Sequence, residues 1–402
     1  MSAAWIVSQL GSREHYAIAR GLARRQLLEV LVTDLWWPPW LEPATVNRIP
    51  LKPLHRWAGR FAEGLDKKVI SWNVRGGCAM AWCYGRRRPE QFHAAYVEHG
   101  RWFARRTSRV IEKSRSAGIF FGYSAASLES LLSAKKKGFF TIVDQVDPAW
   151  EHWKLVEAER ERFPDWEERA PEVPREFWDR LHREWSTADL VVVNSEWSRE
   201  NLVKQGVPES KLAVVPLAYE PTARAAPRRH NRRGKLRVLW LATVSLAKGF
   251  PYLLEAAKKL PNVHFDVAGQ IRISSRIVGS APANVKFHGQ VPRIRTAELF
   301  RSADVFLLPT ISDGFAITQL EAMSFGLPVI ATPHCGKVVV EGWNGYIVPA
   351  RDPEAIASRI AALDSDGDRL ADLSTNALAT LSEFALDKII DRLLDEVRRR
   401  CQ

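Results

Sequence analysis

Short apolar, β-branched runs alternate with amphipathic stretches along nearly the whole chain. In the first half, residues 4–10 (AWIVSQL), 28–35 (LEVLVTDL), 118–122 (GIFFG), 139–145 (FFTIVDQ) and 189–194 (DLVVVN) read as strands. Residues 15–26 and 125–137 read as helices, and 149–188 as a long polar helical stretch. The alternation breaks at TARAAPRRHNRRGKLR, an aperiodic arginine-rich segment, and then restarts. Strands follow at 236–242, 263–269, 285–289, 304–310 and 328–333, with helices at 250–260, 295–303, 313–326 and 353–363 and more helix over 376–402. Strands that are apolar on both faces and separated by helices imply parallel sheets covered on both sides.

The predicted class is α/β, with two doubly wound Rossmann-like domains facing each other across a cleft. The first domain is expected over 1–221, a basic linker over 222–236 and the second domain over 237–375. The helices of 376–402 are expected to pack back on the first domain. Ligands of such domains bind beyond the carboxyl ends of the strands, and the interdomain cleft is the natural place to look.

Charge and tryptophan separate the halves. The net charge is +12, of which residues 237–402 carry only +1. Of 16 tryptophans, only Trp240 and Trp343 lie beyond residue 200. A basic, Trp-rich first half suits an anionic acceptor or membrane surface. It would also suit nucleic acid, but no nucleic-acid-binding module is present and none is expected as a partner. The start, MSAAWIVSQLGSREHY, lacks a basic flank and long apolar run, so no signal peptide is expected. The four cysteines have neither zinc-ligand nor disulfide spacing, which points to a reducing, cytoplasmic setting.

The candidate chemistry lies in SDGFAITQLEAMSFGLPVIATP (312–333). Ser312 or Asp313 can cap a following helix. Gly314 permits close backbone approach, and the amides of Phe315, Ala316 and Ile317 would form an anion-binding first turn. Glu321 then stands two turns on, about 80° round the helix from Asp313, so the carboxylates do not share one stripe. A second such loop, ATVSLAKGF (242–250), places Lys248 beside Gly249 at a helix start.

These segments, with GWNGYIVPARDPEAIASRI (342–360), resemble the donor-site signature of the GT-B glycosyltransferases of family 4. The resemblance is dense over 190–360 and thin before it. It implies a retaining, metal-independent glycosyltransferase, hexosyl or other, that uses a UDP- or GDP-sugar as donor substrate and requires no cofactor. The acceptor would be a polysaccharide, glycan or lipid-linked sugar of cell envelope polysaccharide biosynthesis. On the resemblance, Asp313 contacts the donor sugar and Glu321 the ribose hydroxyls. Lys248 and the amides of Gly314 to Ile317 carry the diphosphate, stabilising charge on the leaving group. Gly11 would let the first domain's backbone approach the diphosphate.

The sequence departs from the pattern in three places. Asp313 stands where Glu is usual. Thr243 stands where an Arg is usual, with Arg272 a candidate substitute. The loop after 118–122 carries Tyr123 and Ser124 instead of a histidine. His15 and Tyr123 are the acceptor-side candidates, and His152 is a further cleft histidine. A nucleotide-sugar-binding clamp and a nucleotide-sugar epimerase of the same fold remain alternatives. The basic half supports a peripheral position at the inner face of a membrane. DSDGD (364–368) fails as a calcium loop, because its sixth position is Arg369 and its twelfth Thr375; it is expected to be a solvated loop.

Overall fold

The computed structural model describes residues 3–37, 60–85, 90–115, 117–168, 171–221, 226 and 234–401. Of the predicted linker, only 226 and 234–236 are among them.

The first unit is built on β1 (Trp5–Gln9), α1 (Ala17–Arg24), β2 (Leu28–Thr33), β3 (Val69–Ser71), α2 (Asn73–Gly85) and α3 (Glu90–Lys113). It continues with β4 (Ile119–Tyr123), α4 (Leu128–Lys136), β5 (Phe140–Gln145), α5 (Trp150–Arg162) and α6 (Arg175–Thr187), then β6 (Leu190–Val193), α7 (Glu196–Lys204) and β7 (Leu212–Val214). Its strands form one sheet in the order β3-β2-β1-β4-β5-β6-β7, with every neighbouring pair parallel. β1, β4 and β6 are buried along their whole length, which is why they read as continuous apolar runs.

The second unit holds β8 (Arg237–Leu241), α8 (Phe250–Lys259), β9 (His264–Ala268), α9 (Ser275–Gly279), β10 (Val285–Gly289) and α10 (Arg293–Ser302). β11 (Val305–Leu308), α11 (Thr318–Ser324), β12 (Val329–Ala331), β13 (Gly345–Ile347), α12 (Pro353–Ser365) and α13 (Gly367–Thr380) complete it. The order is β10-β9-β8-β11-β12-β13, again all parallel. The last helix, α14 (Leu386–Arg400), packs Ile389, Ile390, Leu393 and Val397 into the first unit's core beside Trp5 and Leu22.

The strand order reverses between β1 and β4 in one sheet and between β8 and β11 in the other. These switch points open crevices at the strands' carboxyl ends, so the loops after β8 and β11 become neighbours.

Some elements differ from expectation. The helix predicted from 15 begins at Ala17, because Glu14, His15 and Tyr16 all take left-handed backbone, at φ 52°, 48° and 59°. The buried Tyr16 ring in the core holds that turn. The stretch 149–188 divides into α5 and α6. DSDGD is a tight helix–helix junction, not a loop: Asp366 ends α12 and caps α13 by accepting from the Arg369 amide at 2.9 Å. β3, β7, β13 and the helices α2, α3 and α7 were not anticipated.

Candidate active site

Two loops of the second unit are locked together. The Ala247 carbonyl, after β8, accepts from the Ile311 amide at 3.0 Å and the Thr310 hydroxyl at 3.1 Å, both after β11. Gly249, at φ +70°, lies so close to the Pro309 carbonyl that a Cβ would meet it at 1.8 Å. This lock brings the Lys248 ammonium into an ion pair with Asp313. From the first unit, Glu167 accepts the Leu246 amide at 2.5 Å and braces the short turn that carries Lys248.

The loop from Asp313 to Ile317 is not helical, contrary to the sequence reading. Ala316 has φ +60° and α11 starts only at Thr318, with no side-chain cap. The buried Gln319 amide sets this shape by donating to the carbonyls of Phe315 (3.0 Å) and Gly336 (3.2 Å). Glu321 therefore lies in the first turn of α11, half-buried, and not two turns in. Among the described residues, no protein acceptor takes the amides of Gly314, Phe315, Ala316 or Ile317. A left-handed residue followed by a right-handed one makes such amides converge into an anion-binding concavity. Gly314 meets the other unit directly: a Cβ there would stand 2.2 Å from the Val146 carbonyl. Thr243 is half-buried just beyond β8, while Arg272 is exposed with its amide on the Val244 carbonyl at 3.0 Å.

On the first unit, Gly11 has φ +86°, but its amide donates to the Asp34 carboxylate at 2.9 Å. His15 is exposed. Tyr123 is buried, and burial, with Glu14 and Asp144 nearby, pushes its hydroxyl far above the usual phenol range. Burial raises Glu14 to about 7 and Asp144 to about 8, the latter helped by Glu14, while Arg13 opposes both. His152 is held below the usual imidazole range by burial, and the Lys248 charge acts in the same direction. The Ser312 backbone, Lys248 and Asp313 of the second unit all act on its ring, so it stands at the border of the two units.

Residues 235–366 match the family model described as Glycosyl transferases group 1. The second unit is a glycosyl transferases group 1 domain. D-inositol 3-phosphate glycosyltransferase of Xylanimonas cellulosilytica is 29% identical over 236 residues, 52% of this chain and 57% of that protein. The amylovoran biosynthesis glycosyltransferase AmsK of Erwinia amylovora is 25% identical over 214 residues, 49% of this chain and 51% of that protein. The match thus spans little more than half the length of these relatives. Among solved structures, Anabaena HepE in complex with UDP superposes with a TM-score of 0.64 at 15% identity, covering 99% of this chain and 100% of that one. Sucrose-phosphate synthase of Thermosynechococcus elongatus gives 0.61 at 15%, covering 99% and 98%. The fold is GT-B.

The glycosyl transferases group 1 domain meets the first unit through residues the sequence reading did not single out. His334, after β12, stacks on Trp197 of α7 with centroids 4.0 Å apart and planes 12° from parallel. Its Nδ1 lies 2.8 Å from the Ile311 carbonyl, and its own carbonyl accepts the Asp313 amide at 2.9 Å. Burial lowers its pKa, so at neutral pH the ring stacks uncharged. Trp197 Nε1 donates to the Ser312 hydroxyl at 3.3 Å. The wholly buried Glu159 of α5 accepts from the Tyr252 hydroxyl (2.8 Å) and Arg351 (2.5 Å), both in the other unit. His334 follows the third strand end in a row, and that position was its available signal. Among the described residues, no group of three or more His, Cys, Asp or Glu is placed to hold a metal ion.

Proposed function

We propose that this chain is a retaining glycosyltransferase that moves a sugar from a nucleoside-diphosphate donor to a hydroxyl of a glycan, polysaccharide or lipid-linked acceptor. The observation that carries this reading is the Lys248–Asp313 pair beside the open amides of Gly314–Ile317, one helical turn from Glu321. A diphosphate laid on those amides meets both converging N–H groups and a lysine. Asp313 then faces the sugar and Glu321 the ribose hydroxyls. The bond from the sugar's anomeric carbon to the leaving phosphate oxygen breaks while the acceptor oxygen bonds to the same face. The acceptor's proton passes to the departing phosphate, so no dedicated protein base is needed. Lys248 and the amides stabilise the charge that develops on the leaving group.

HepE's complex with UDP supports a uridine donor, and AmsK's role in amylovoran biosynthesis supports an envelope polysaccharide product. A peripheral position at a membrane is supported by α3, where Arg101, Arg105, Arg106 and Arg109 line one surface hollow with Trp102 and a single acid, Glu98. Among the described residues, no helix is long and apolar enough to cross a membrane. The deciding experiment is a panel of UDP- and GDP-sugars assayed for donor turnover, with product anomers read by NMR. Glu321→Ala is expected to abolish turnover. Full turnover in that variant would overturn the site, and an inverted product anomer would overturn the retaining step. Salt-sensitive flotation with anionic liposomes tests the membrane contact.

A further inference from the structure

The interior of the first unit holds two charged side chains of α6, Arg180 and Glu184, which are 4% and 0% exposed. They stand one turn apart, with Arg180 Nε 3.6 Å from Glu184 Oε1. Among the described residues, all their side-chain hydrogen bonds go to residues 125–129, just after β4. Glu184 Oε2 accepts the Ala125 amide at 2.6 Å, and Oε1 accepts the amides of Ser127 (2.9 Å) and Leu128 (3.0 Å) at the start of α4. Arg180 Nε donates to the Ala125 carbonyl at 2.8 Å, and its two terminal nitrogens fork onto the Glu129 carboxylate at 3.1 and 2.7 Å. Ala125 is thereby held at both its amide and its carbonyl. From α3, Gly100 comes so close that a Cβ there would meet that carbonyl at 2.4 Å. Ala125 itself has left-handed backbone, at φ +66°. In a residue other than glycine such strain persists only where the surroundings over-determine it, and it clusters at functional sites.

A buried ion pair is weak evidence for stability, because desolvation offsets the attraction. Burial pushes Glu184 up to about 7, while Arg180 and the three amides pull it down. What the pair secures is the shape of one loop. That loop lies at the reversal of strand order in the first sheet, where doubly wound domains bind their ligands. Its residues Tyr123, Ser124, Ala125 and Ala126 line a hollow of about 360 Å³ together with Val146 and His152. Val146 presents its carbonyl to Gly314, and Lys248 and Asp313 act on His152, so this hollow borders the donor loop. The Ser124 amide donates to the Asp144 carbonyl at 2.9 Å, which ties the loop to the end of β5.

We infer that Arg180 and Glu184 are positioning residues for sugar transfer: acting through the backbone of Ala125, they fix the loop from Tyr123 to Ala126 as the first unit's wall of the transfer site. Neither side chain lines the hollow, so both act at one remove. The inference rests on the glycosyl-transfer reading. On that reading the second unit holds the donor, so loosening this loop leaves donor binding in place and slows transfer, where small misplacements are costly. Glu184→Gln separates this role from a merely structural one. The glutamine Oε1 can keep the Ser127 and Leu128 amides, which cap α4. Its NH₂ group then faces the Ala125 N–H, and two donors cannot bond. The variant therefore keeps the cap and frees Ala125.

The test combines hydrogen exchange read at single amides with steady-state kinetics of the full chain on its accepted nucleotide sugar. In Glu184→Gln the Ala125 amide is expected to exchange at least about tenfold faster than in wild type, with Ser127 and Leu128 within about threefold. The kcat is expected to fall about 10- to 100-fold, with the donor KM within about twofold. Arg180→Lys keeps a cation beside Glu129 but loses the bond to the Ala125 carbonyl, and is expected to show the same pattern more weakly. If Glu184→Gln brings the melting temperature down into the assay range, Arg180→Lys carries the test. Ala125 exchange unchanged in both variants would overturn the clamp. A loosened Ala125 with kcat unchanged, or a raised donor KM with kcat unchanged, would overturn the positioning role. No donor turnover by the wild-type chain would instead remove the transfer reading, and the positioning role with it, while the exchange pattern alone would still decide whether the clamp exists.

Discussion

Asp313→Asn separates two effects that the Lys248–Asp313 pair combines. With no donor bound, the Lys248 ammonium is neutralised by Asp313, so a diphosphate has to compete with that carboxylate. The two side chains are 25% and 21% exposed. Unit charges ~4 Å apart attract by ~4 kcal/mol at an effective dielectric of 20, but exposed pairs measure only about 0–1 kcal/mol. Partial exposure puts this pair at roughly 1–2 kcal/mol. Freeing Lys248 should therefore tighten UDP binding by about 5- to 30-fold, since 1.4 kcal/mol is a factor of ten. The same change removes a charged acceptor for a donor-sugar hydroxyl. A hydrogen bond of that kind contributes ~1.5–3 kcal/mol, so turnover of the UDP-sugar should fall about 10- to 100-fold. Calorimetry with UDP and initial rates with the accepted donor read the two effects independently. Lys248→Met is expected to weaken UDP binding, the opposite sign. If Asp313→Asn weakens UDP binding as Lys248→Met does, or leaves turnover intact, the competition argument is wrong.

Three further outcomes follow from contacts around the site. Glu167→Ala should raise the donor KM about tenfold by releasing the Leu246 turn, whereas Glu167→Gln, which can still accept that amide, should stay near wild type; equal effects would show that charge and not the hydrogen bond matters. Gly314→Ala forces a Cβ onto the Val146 carbonyl and should cost about 1–3 kcal/mol of stability, read as a lower melting temperature; an unchanged melt would mean the units do not meet there. Asp144, raised to about 8, is protonated in the folded chain and ionised in the unfolded one between about pH 4 and 8, so its folded state loses stability as pH rises through that window. Asp144→Asn should therefore gain relative to wild type between pH 5.5 and 7.5, by at most ~3 kcal/mol, and thermal melts that shift in parallel at both pH values would refute this.

The parts of this molecule that were legible in its sequence are those fixed by local periodicity. β1, β4, β6 and β11 are buried on both faces, so each appears as an unbroken apolar run, and the reversal of strand order makes the loops at their ends candidates for ligand contact. The spacing of Asp313 and Glu321 and the lysine at 248 could be read off the chain and gained meaning from the family resemblance. Their backbone could not. Nothing in an alanine announces φ +60°; Ala316 adopts it because Gln319 and Gly336, brought alongside by β12, fix the Phe315 carbonyl. Trp197 and His334 lie far apart in sequence and meet only when the two units close, so no period connects them. The same division governs the donor loop. Two of the bonds that position Lys248, from Thr310 and Ile311 to Ala247, lie within the second unit and would survive any separation of the units. The third, from Leu246 to Glu167, crosses between them, as do the Glu159 bonds to Tyr252 and Arg351. Opening the cleft would thus preserve the pairing of the two loops while loosening the turn that aims the lysine. On the proposed reading, the second unit would recognise a donor by itself, and the first unit would set how firmly Lys248 is held during transfer.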